Sequence, residues 1–105
     1  LSKLNPNVII PERIQGDTET FALYMIICKN RDKLKDYLMK QGVETKIHYP
    51  KPLHLQNAAK IYNYKVGDFP NSEKQSRELL TLPVHQYLTK NQINFMISSI
   101  IKFYE

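Results

Sequence analysis

Two prolines, Pro50 and Pro52, constrain the fold of this 105-residue chain more than any other feature of its sequence. They lie in residues 47–54, which read Ile-His-Tyr-Pro-Lys-Pro-Leu-His. A proline disfavours the right-handed α region for the residue before it, so Tyr49 and Lys51 are predicted to be extended or in a turn. A strand that ends in so rigid a corner holds its polar side chains in defined directions. The alternative is a proline-stiffened connection whose histidines are merely solvated.

Upstream of these prolines, the pattern predicts a strand, a helix and a second strand. Residues 21–28 are almost continuously apolar and rich in aromatic and branched side chains, as in a strand covered on one or both faces. Residues 31–41 carry an apolar stripe at helical spacing, with Asn30 as a candidate N-cap and Gly42 where a left-handed C-cap is expected. Residues 43–47 then alternate, which directs the odd-numbered side chains inward.

Downstream, the pattern predicts three helices and one strand. The last helix is the clearest, because Thr89 and Gln92 form a Thr-x-x-Gln capping box. The helix before it is expected to begin at Pro70, with Asp68 as a candidate cap and Glu73 in the first turn. The predicted elements are helices at 55–62 and 70–79, a strand at 80–83 and a helix at 89–104. The chain is therefore predicted to be α+β, about three strands with helices packed on the sheet, in the order β-α-β-α-α-β-α.

Charge and composition exclude several classes of function. The net charge is +5, but the basic residues are interspersed with acidic ones around the first helix, as on a solvated face. A basic nucleic-acid-binding module is therefore a minor alternative, and no nucleic-acid partner is expected. No segment approaches the ~20 apolar residues of a membrane helix. The single cysteine, Cys28, is expected to be a buried thiol in a cytoplasmic protein.

The histidines are the main candidates for chemistry. His48 and His54 flank the two prolines with no carboxylate between them, so structural or substrate-facing roles are favoured over a metal site, and His85 lies far away in sequence. The chain contains no glycine-rich phosphate loop and no nucleophile elbow, and Cys28 is not paired with a histidine at a known spacing. No catalytic residue is assigned.

Four short motifs follow one another in a defined order. They are Asn-Arg-Asp-x-Leu at 30–34, Gly-Val-x-Thr-x-Ile-His-Tyr-Pro-x-Pro-Leu-His-Leu-Gln at 42–56, Gly-Asp-Phe-Pro-x-x-Glu at 67–73 and Leu-x-Leu-Pro at 80–83. Together with the closing helix they resemble the C-terminal small domain of the DegT-type (StrS-like) sugar aminotransferases, which are PLP-dependent and have the aspartate aminotransferase fold. The chain departs from the family pattern at Ser72 and Ser76, which occupy positions where a helix of the family is expected to pack.

The resemblance implies a division of labour. Residues 1–20 would be the connector from a missing large domain, and residues 21–105 the small domain. Members of the family transfer an amino group, usually from glutamate, to a keto-sugar nucleotide, and work as dimers. Their Schiff-base lysine, the acid at the pyridine nitrogen and most phosphate contacts belong to the large domain. The resemblance therefore implies no cofactor in this chain alone and PLP in the parent enzyme.

The same resemblance carries over three residues at the prolines. In the family this segment approaches the mouth of the active site, so His48 and Tyr49 are expected to bind substrate, with His54 as a weaker candidate. The expected partners are the large domain, a second copy of the enzyme and a nucleotide sugar. The alternative from another functional class is a free-standing interaction domain that kept the fold without catalysis.

Overall fold

The computed structural model, which describes residues 7–105, contains a three-stranded antiparallel sheet of order β1-β2-β3. The central strand β2 (Tyr24–Cys28) pairs on one side with β1 (Val8–Ile9) and on the other with β3 (Leu79–Leu82). In the register, Val8 lies opposite Cys28 and Ile26 lies opposite Leu80. The predicted strands at 21–28 and 80–83 are thus confirmed, the first shorter than expected and the second shifted by one residue.

Strand β1 lies within the predicted connector. Val8 is 1% exposed and belongs to the core, so this part of the connector completes the sheet. The first six residues of the connector lie outside the described residues. The division of the chain at residue 20 stays a proposal.

The predicted strand at 43–47 is reduced to a single bridge, in which the backbone N–H and carbonyl of Lys46 both pair with Thr81. The N–H of Val43 donates instead to the carbonyl of Leu38, at the end of the preceding helix. Pairing with β3 therefore begins only at Lys46. Pro50 then turns the chain away. The bridge stands where the second strand was predicted, so the order of elements holds, and the odd-numbered side chains point inward as expected.

The helices are α1 (Arg31–Lys40), α2 (Pro70–Glu78) and α3 (Lys90–Tyr104). The capping box of Thr89 and Gln92 is confirmed at the start of α3. Gly42, just after α1, has the expected positive φ of 80°, which glycine adopts without steric cost. In the described residues no helix is long and apolar enough to cross a membrane.

Of the two predicted N-caps, Asn30 is at the expected position but lacks a side-chain hydrogen bond, and Asp68 was wrong. Asn30 precedes α1 but adopts a left-handed conformation (φ 53°), and its side chain makes no capping hydrogen bond. Phe69, rather than Asp68, is the residue before α2. The Asp68 carboxylate accepts from the backbone N–H of Lys65 at 2.8 Å, which closes the preceding turn instead.

The predicted helical stretch at 55–62 is present, but it is not an α-helix. The structure has two 3-10 segments instead, Leu53–Leu55 and Asn57–Tyr62. Gln56 between them is extended, with ψ near 154°, and this interrupts any longer helix. Short 3-10 segments are common connectors. Most residues from 53 to 62 are exposed.

One face of the sheet carries the core. Leu34 and Leu38 of α1 and Ile100 of α3 are fully buried against it. Each such side chain contributes roughly 1.5–3 kcal/mol through burial. Thr81 alternates with its two leucine neighbours in β3 and therefore faces the other side of the sheet. His48 lies on that side, with its Nδ1 atom 2.8 Å from the Thr81 hydroxyl.

Candidate functional site: the proline corner

Residues 47–54, which we call the proline corner, contain a strained backbone at Tyr49. Its φ is +59°, in the left-handed region, and its side chain is 69% exposed. The residue is therefore neither extended nor in the right-handed region that Pro50 disfavours. A non-glycine residue pays about 1–2 kcal/mol for this conformation, and such strain tends to occur at functional sites.

His48 is held by a neutral partner. Its Nδ1 atom lies 2.8 Å from the hydroxyl oxygen of Thr81 in β3. The ring is half-buried and lies beside the Tyr49 ring, with centroids 6.1 Å apart. Within residues 7–105, its Nε2 atom has no hydrogen-bond partner. The ring is thus held by one nitrogen, and its other nitrogen has no partner in this part of the chain.

His54, by contrast, is held by a buried carboxylate. Its Nε2 atom lies 2.9 Å from Oε1 of Glu73, and both side chains are only 6% exposed. The same carboxylate oxygen accepts from the backbone N–H of Gly67 at 2.7 Å. The ring also packs on Phe69, with centroids 4.8 Å apart. Glu73 thereby joins the corner to the loop before α2.

The hydrogen bond from the Gly67 N–H, followed by that from His54, lowers the pKa of Glu73 below its ordinary value, against the opposing effect of burial. Glu73 is therefore ionised at neutral pH. An ionised carboxylate only accepts hydrogen bonds, so Nε2 of His54 carries a proton and donates it. This nitrogen is occupied within the fold.

Sequence reasoning missed both partners of the histidines. Glu73 was predicted only as an acid in the first turn of a helix, and it meets His54 across 19 positions. Thr81 meets His48 across 33 positions. The one available signal was the alternation in β3, which places a polar Thr81 opposite the core face. Nothing in the spacing pairs it with a histidine.

A groove larger than the hollow at the corner lies elsewhere in the described residues. It has a volume of about 640 Å³ and contains His85 but none of the three candidate residues. A smaller hollow of about 290 Å³ lies at the corner itself, between Tyr49 and the α2 residue Gln75. The structure therefore separates His85 from the other two histidines. We place the candidate site at the corner because its backbone is strained there, and not by cavity size.

The comparisons with known proteins identify the family. Residues 1–101 match the DegT/DnrJ/EryC1/StrS aminotransferase family. The chain belongs to this family. Its fold superposes on a DegT DnrJ EryC1 StrS aminotransferase from Brucella abortus with a TM-score of 0.86 and 38% identity, covering 98% of this chain and 28% of that one.

Two curated relatives of this chain have different descriptions. A "Pleiotropic regulatory protein" of Geobacillus stearothermophilus is 36% identical over 92% of this chain and 26% of the relative. A dTDP-3-amino-3,4,6-trideoxy-alpha-D-glucose transaminase of Streptomyces venezuelae is 27% identical over 95% of this chain and 26% of the relative. The chain spans about a quarter of the length of these relatives. The resemblance and the α+β fold class are both confirmed.

The residues described here do not by themselves fit the cofactor of this aminotransferase family. PLP chemistry uses a lysine whose pocket lowers its pKa, and no lysine in residues 7–105 is buried. In the same residues no three His, Cys, Asp or Glu side chains are grouped as metal ligands. The Cys28 thiol is buried, which raises its pKa to about 11 and makes it a poor nucleophile.

Proposed function

We propose that this chain is the C-terminal small domain of a PLP-dependent aminotransferase that transfers an amino group, usually from glutamate, to a keto-sugar nucleotide. The products would be amino sugars for cell-surface polysaccharides or related compounds. The family membership and the description of the Streptomyces venezuelae relative as a sugar-nucleotide transaminase support this proposal. In it, the chain is inactive on its own, because the cofactor and its lysine belong to a large domain.

His48 and Tyr49 bind the substrate in this proposal. The observation that carries it is the strained left-handed backbone of Tyr49, which turns an exposed aromatic ring outward beside a histidine ring that is held at one nitrogen. Such a pair suits a ligand that has a flat ring and also oxygen atoms, from hydroxyl or phosphate groups. His54 has the weaker part, since its Nε2 is bonded to Glu73, and it holds the downstream end of the corner.

The proposed partners are the large PLP-binding domain and a second copy of the enzyme. Support comes from the end of the corner and the loop after it, where large apolar residues are more than 60% exposed: Leu53, Ile61, Tyr62 and Val66. Exposed patches of this kind mark interaction surfaces. We expect the 105-residue chain to self-associate, through this loop, α3 or the residues before Phe21. Sedimentation at high protein concentration checks this, and a monomer contradicts it.

The buried single cysteine supports a cytoplasmic location.

One observation favours the alternative of an interaction domain without catalysis. The Geobacillus relative, at 36% identity, is described as a regulatory protein. The discriminating fact is the complete reading frame. We expect it to continue upstream into a PLP-binding domain with a candidate lysine, and a frame that lacks such a domain favours the interaction domain.

The experiment that tests the proposal compares two proteins. Each is mixed with PLP, glutamate and a dTDP-linked keto sugar, while imine absorbance and amino-sugar formation are followed. The 105-residue chain is expected to form no stoichiometric imine and no product. The protein encoded by the complete frame is expected to form both. Stoichiometric imine formation by the short chain, or no transfer by the complete protein, overturns the proposal.

A further inference from the structure

Thr81 anchors the start of the proline corner to the sheet. Its backbone N–H donates to the carbonyl of Lys46 at 2.8 Å, and its carbonyl accepts from the Lys46 N–H at 3.1 Å. Its hydroxyl lies 2.8 Å from Nδ1 of His48. Residues two apart on an extended segment share a side, so a single threonine holds both the backbone and the ring at this point. Thr81 is only 7% exposed and is paired with Met25 of β2, so the anchor itself is rigid.

The hydroxyl of Thr81 occupies one nitrogen of the His48 ring. A hydroxyl both donates and accepts, so it bonds Nδ1 in either tautomer of the neutral ring. In both cases Nε2 is the nitrogen left for a ligand, as a donor in one tautomer and an acceptor in the other. With Nδ1 held, the direction of Nε2 relative to the sheet is defined.

We propose that Thr81 is a positioning residue for His48, holding Nδ1 so that Nε2 is directed at an oxygen atom of the bound keto-sugar nucleotide. The identity of the ligand rests on the proposed function. The holding of the ring rests only on the distances above. Thr81 touches no ligand in this proposal and acts through the histidine.

The chain contains a matched control for this proposal. Thr45 is buried to a similar degree, at 2% exposure, but its hydroxyl has no hydrogen-bond partner in the described residues. A threonine-to-valine change replaces the hydroxyl with a methyl group of similar size and so removes its hydrogen bonds. Thr81→Val therefore removes a bond to His48, whereas Thr45→Val removes a hydroxyl that holds nothing.

The test is nuclear magnetic relaxation of the histidine rings in the 105-residue chain labelled with ¹³C-histidine. We expect an order parameter of roughly 0.85 for the His48 ring in the unmodified chain, typical of rigid groups, and below roughly 0.6 in Thr81→Val. Thr81→Ser retains the hydroxyl and is expected to restore rigidity. Thr45→Val is expected to leave the His48 ring unchanged, and all variants are expected to leave the His54 ring unchanged.

Several outcomes overturn the proposal. One is a rigid His48 ring in a folded Thr81→Val chain, and another is loosening by Thr45→Val as large as that by Thr81→Val. If Thr81→Val does not fold, the unmodified chain and Thr81→Ser decide the matter, because a mobile His48 ring in either contradicts the anchor.

A second measurement connects the ring to the ligand. In the protein of the complete reading frame, Thr81→Val is expected to raise KM for the keto-sugar nucleotide about fivefold, equivalent to a hydrogen bond of about 1 kcal/mol. Unchanged KM with a loosened ring overturns the role of Thr81 in presenting Nε2. Absence of any amino transfer by the unmodified protein instead overturns the proposed function and leaves the ring result standing.

Discussion

The two histidines of the proline corner are six positions apart in one motif, yet their surroundings differ. His48 is half-buried and shares one hydrogen bond with a neutral hydroxyl, and it lies beside an exposed and strained Tyr49. His54 is almost fully enclosed, and its Nε2 donates to a buried carboxylate that also accepts from a backbone N–H. The upstream end of the corner, which we call its open end, leaves the Tyr49 side chain and part of the His48 ring exposed. The downstream end is closed on itself.

Under the proposed function, this difference assigns two tasks to one motif. A ligand-binding side chain needs an available polar atom in a fixed direction, and a fixed direction needs a rigid support. In the proposed function, the His54–Glu73 pair and the prolines supply the support, and the His48–Tyr49 pair supplies the contact with the substrate. Mutations at the two ends are therefore expected to separate stability from binding.

The largest expected effect on stability is at the closed end. His54→Ala leaves a cavity and removes a donor from a buried carboxylate, so we expect a loss of about 2–3 kcal/mol in the free energy of unfolding. His48→Ala removes one neutral hydrogen bond at a half-buried site and is expected to cost about 1 kcal/mol. Urea denaturation followed by circular dichroism measures both. Equal losses of stability in the two variants contradict the difference between the two ends of the corner.

The second prediction concerns acid. The pKa of Glu73 is lowered from its ordinary value of 4.5, so its carboxylate contributes stability above that pH, and the contribution is lost as the pH falls through the lowered pKa. The unmodified chain is therefore expected to exceed Glu73→Gln in stability most at pH 7, with the difference shrinking below about pH 4.5. Denaturation curves from pH 7 to pH 3 check this. A difference that stays constant with pH contradicts the assignment.

The third prediction concerns the open end, where strain is expected to oppose stability. Tyr49→Gly relieves the left-handed backbone but adds freedom to the unfolded chain, for a net gain of about 0.5–1 kcal/mol. Tyr87 is a matched control, since it is 79% exposed and is absent from the residues with positive φ. Tyr87→Gly is expected to lose about 0.5–1 kcal/mol. If both variants lose stability equally, Tyr49 is not strained.

The smallest effect is expected at the unpartnered hydroxyl of Thr45. Thr45→Val removes a buried polar atom that makes no hydrogen bond in the described residues, so stability is expected to be unchanged or to rise by up to about 1 kcal/mol. Thr81→Val is expected to lose about 1 kcal/mol, since its hydroxyl is bonded to His48. Thermal unfolding of the two variants, side by side, gives the sign of each change. A clear loss in Thr45→Val shows that its hydroxyl does have a partner.

The sequence predicted what depends on neighbours along the chain. The capping box at Thr89 and Gln92 is local, and so is the turn at Gly42, and both are confirmed. The bonds of His48 to Thr81 and of His54 to Glu73 depend on how distant segments pack, which no spacing reveals. The left-handed backbone of Tyr49 was also missed, because the rule for residues before proline favours extended backbone and does not point to a positive φ.

The central claim is that the open end of the corner binds the substrate of an aminotransferase. The most direct test is the KM and kcat of amino transfer to a keto-sugar nucleotide by the protein of the complete reading frame, with each histidine changed in turn to alanine. His85 is the control, because it is exposed and lies in the separate groove. We predict that His48→Ala lowers kcat/KM at least tenfold, about 1.4 kcal/mol, while His85→Ala leaves it unchanged. Equal kcat/KM in the two variants contradicts the claim.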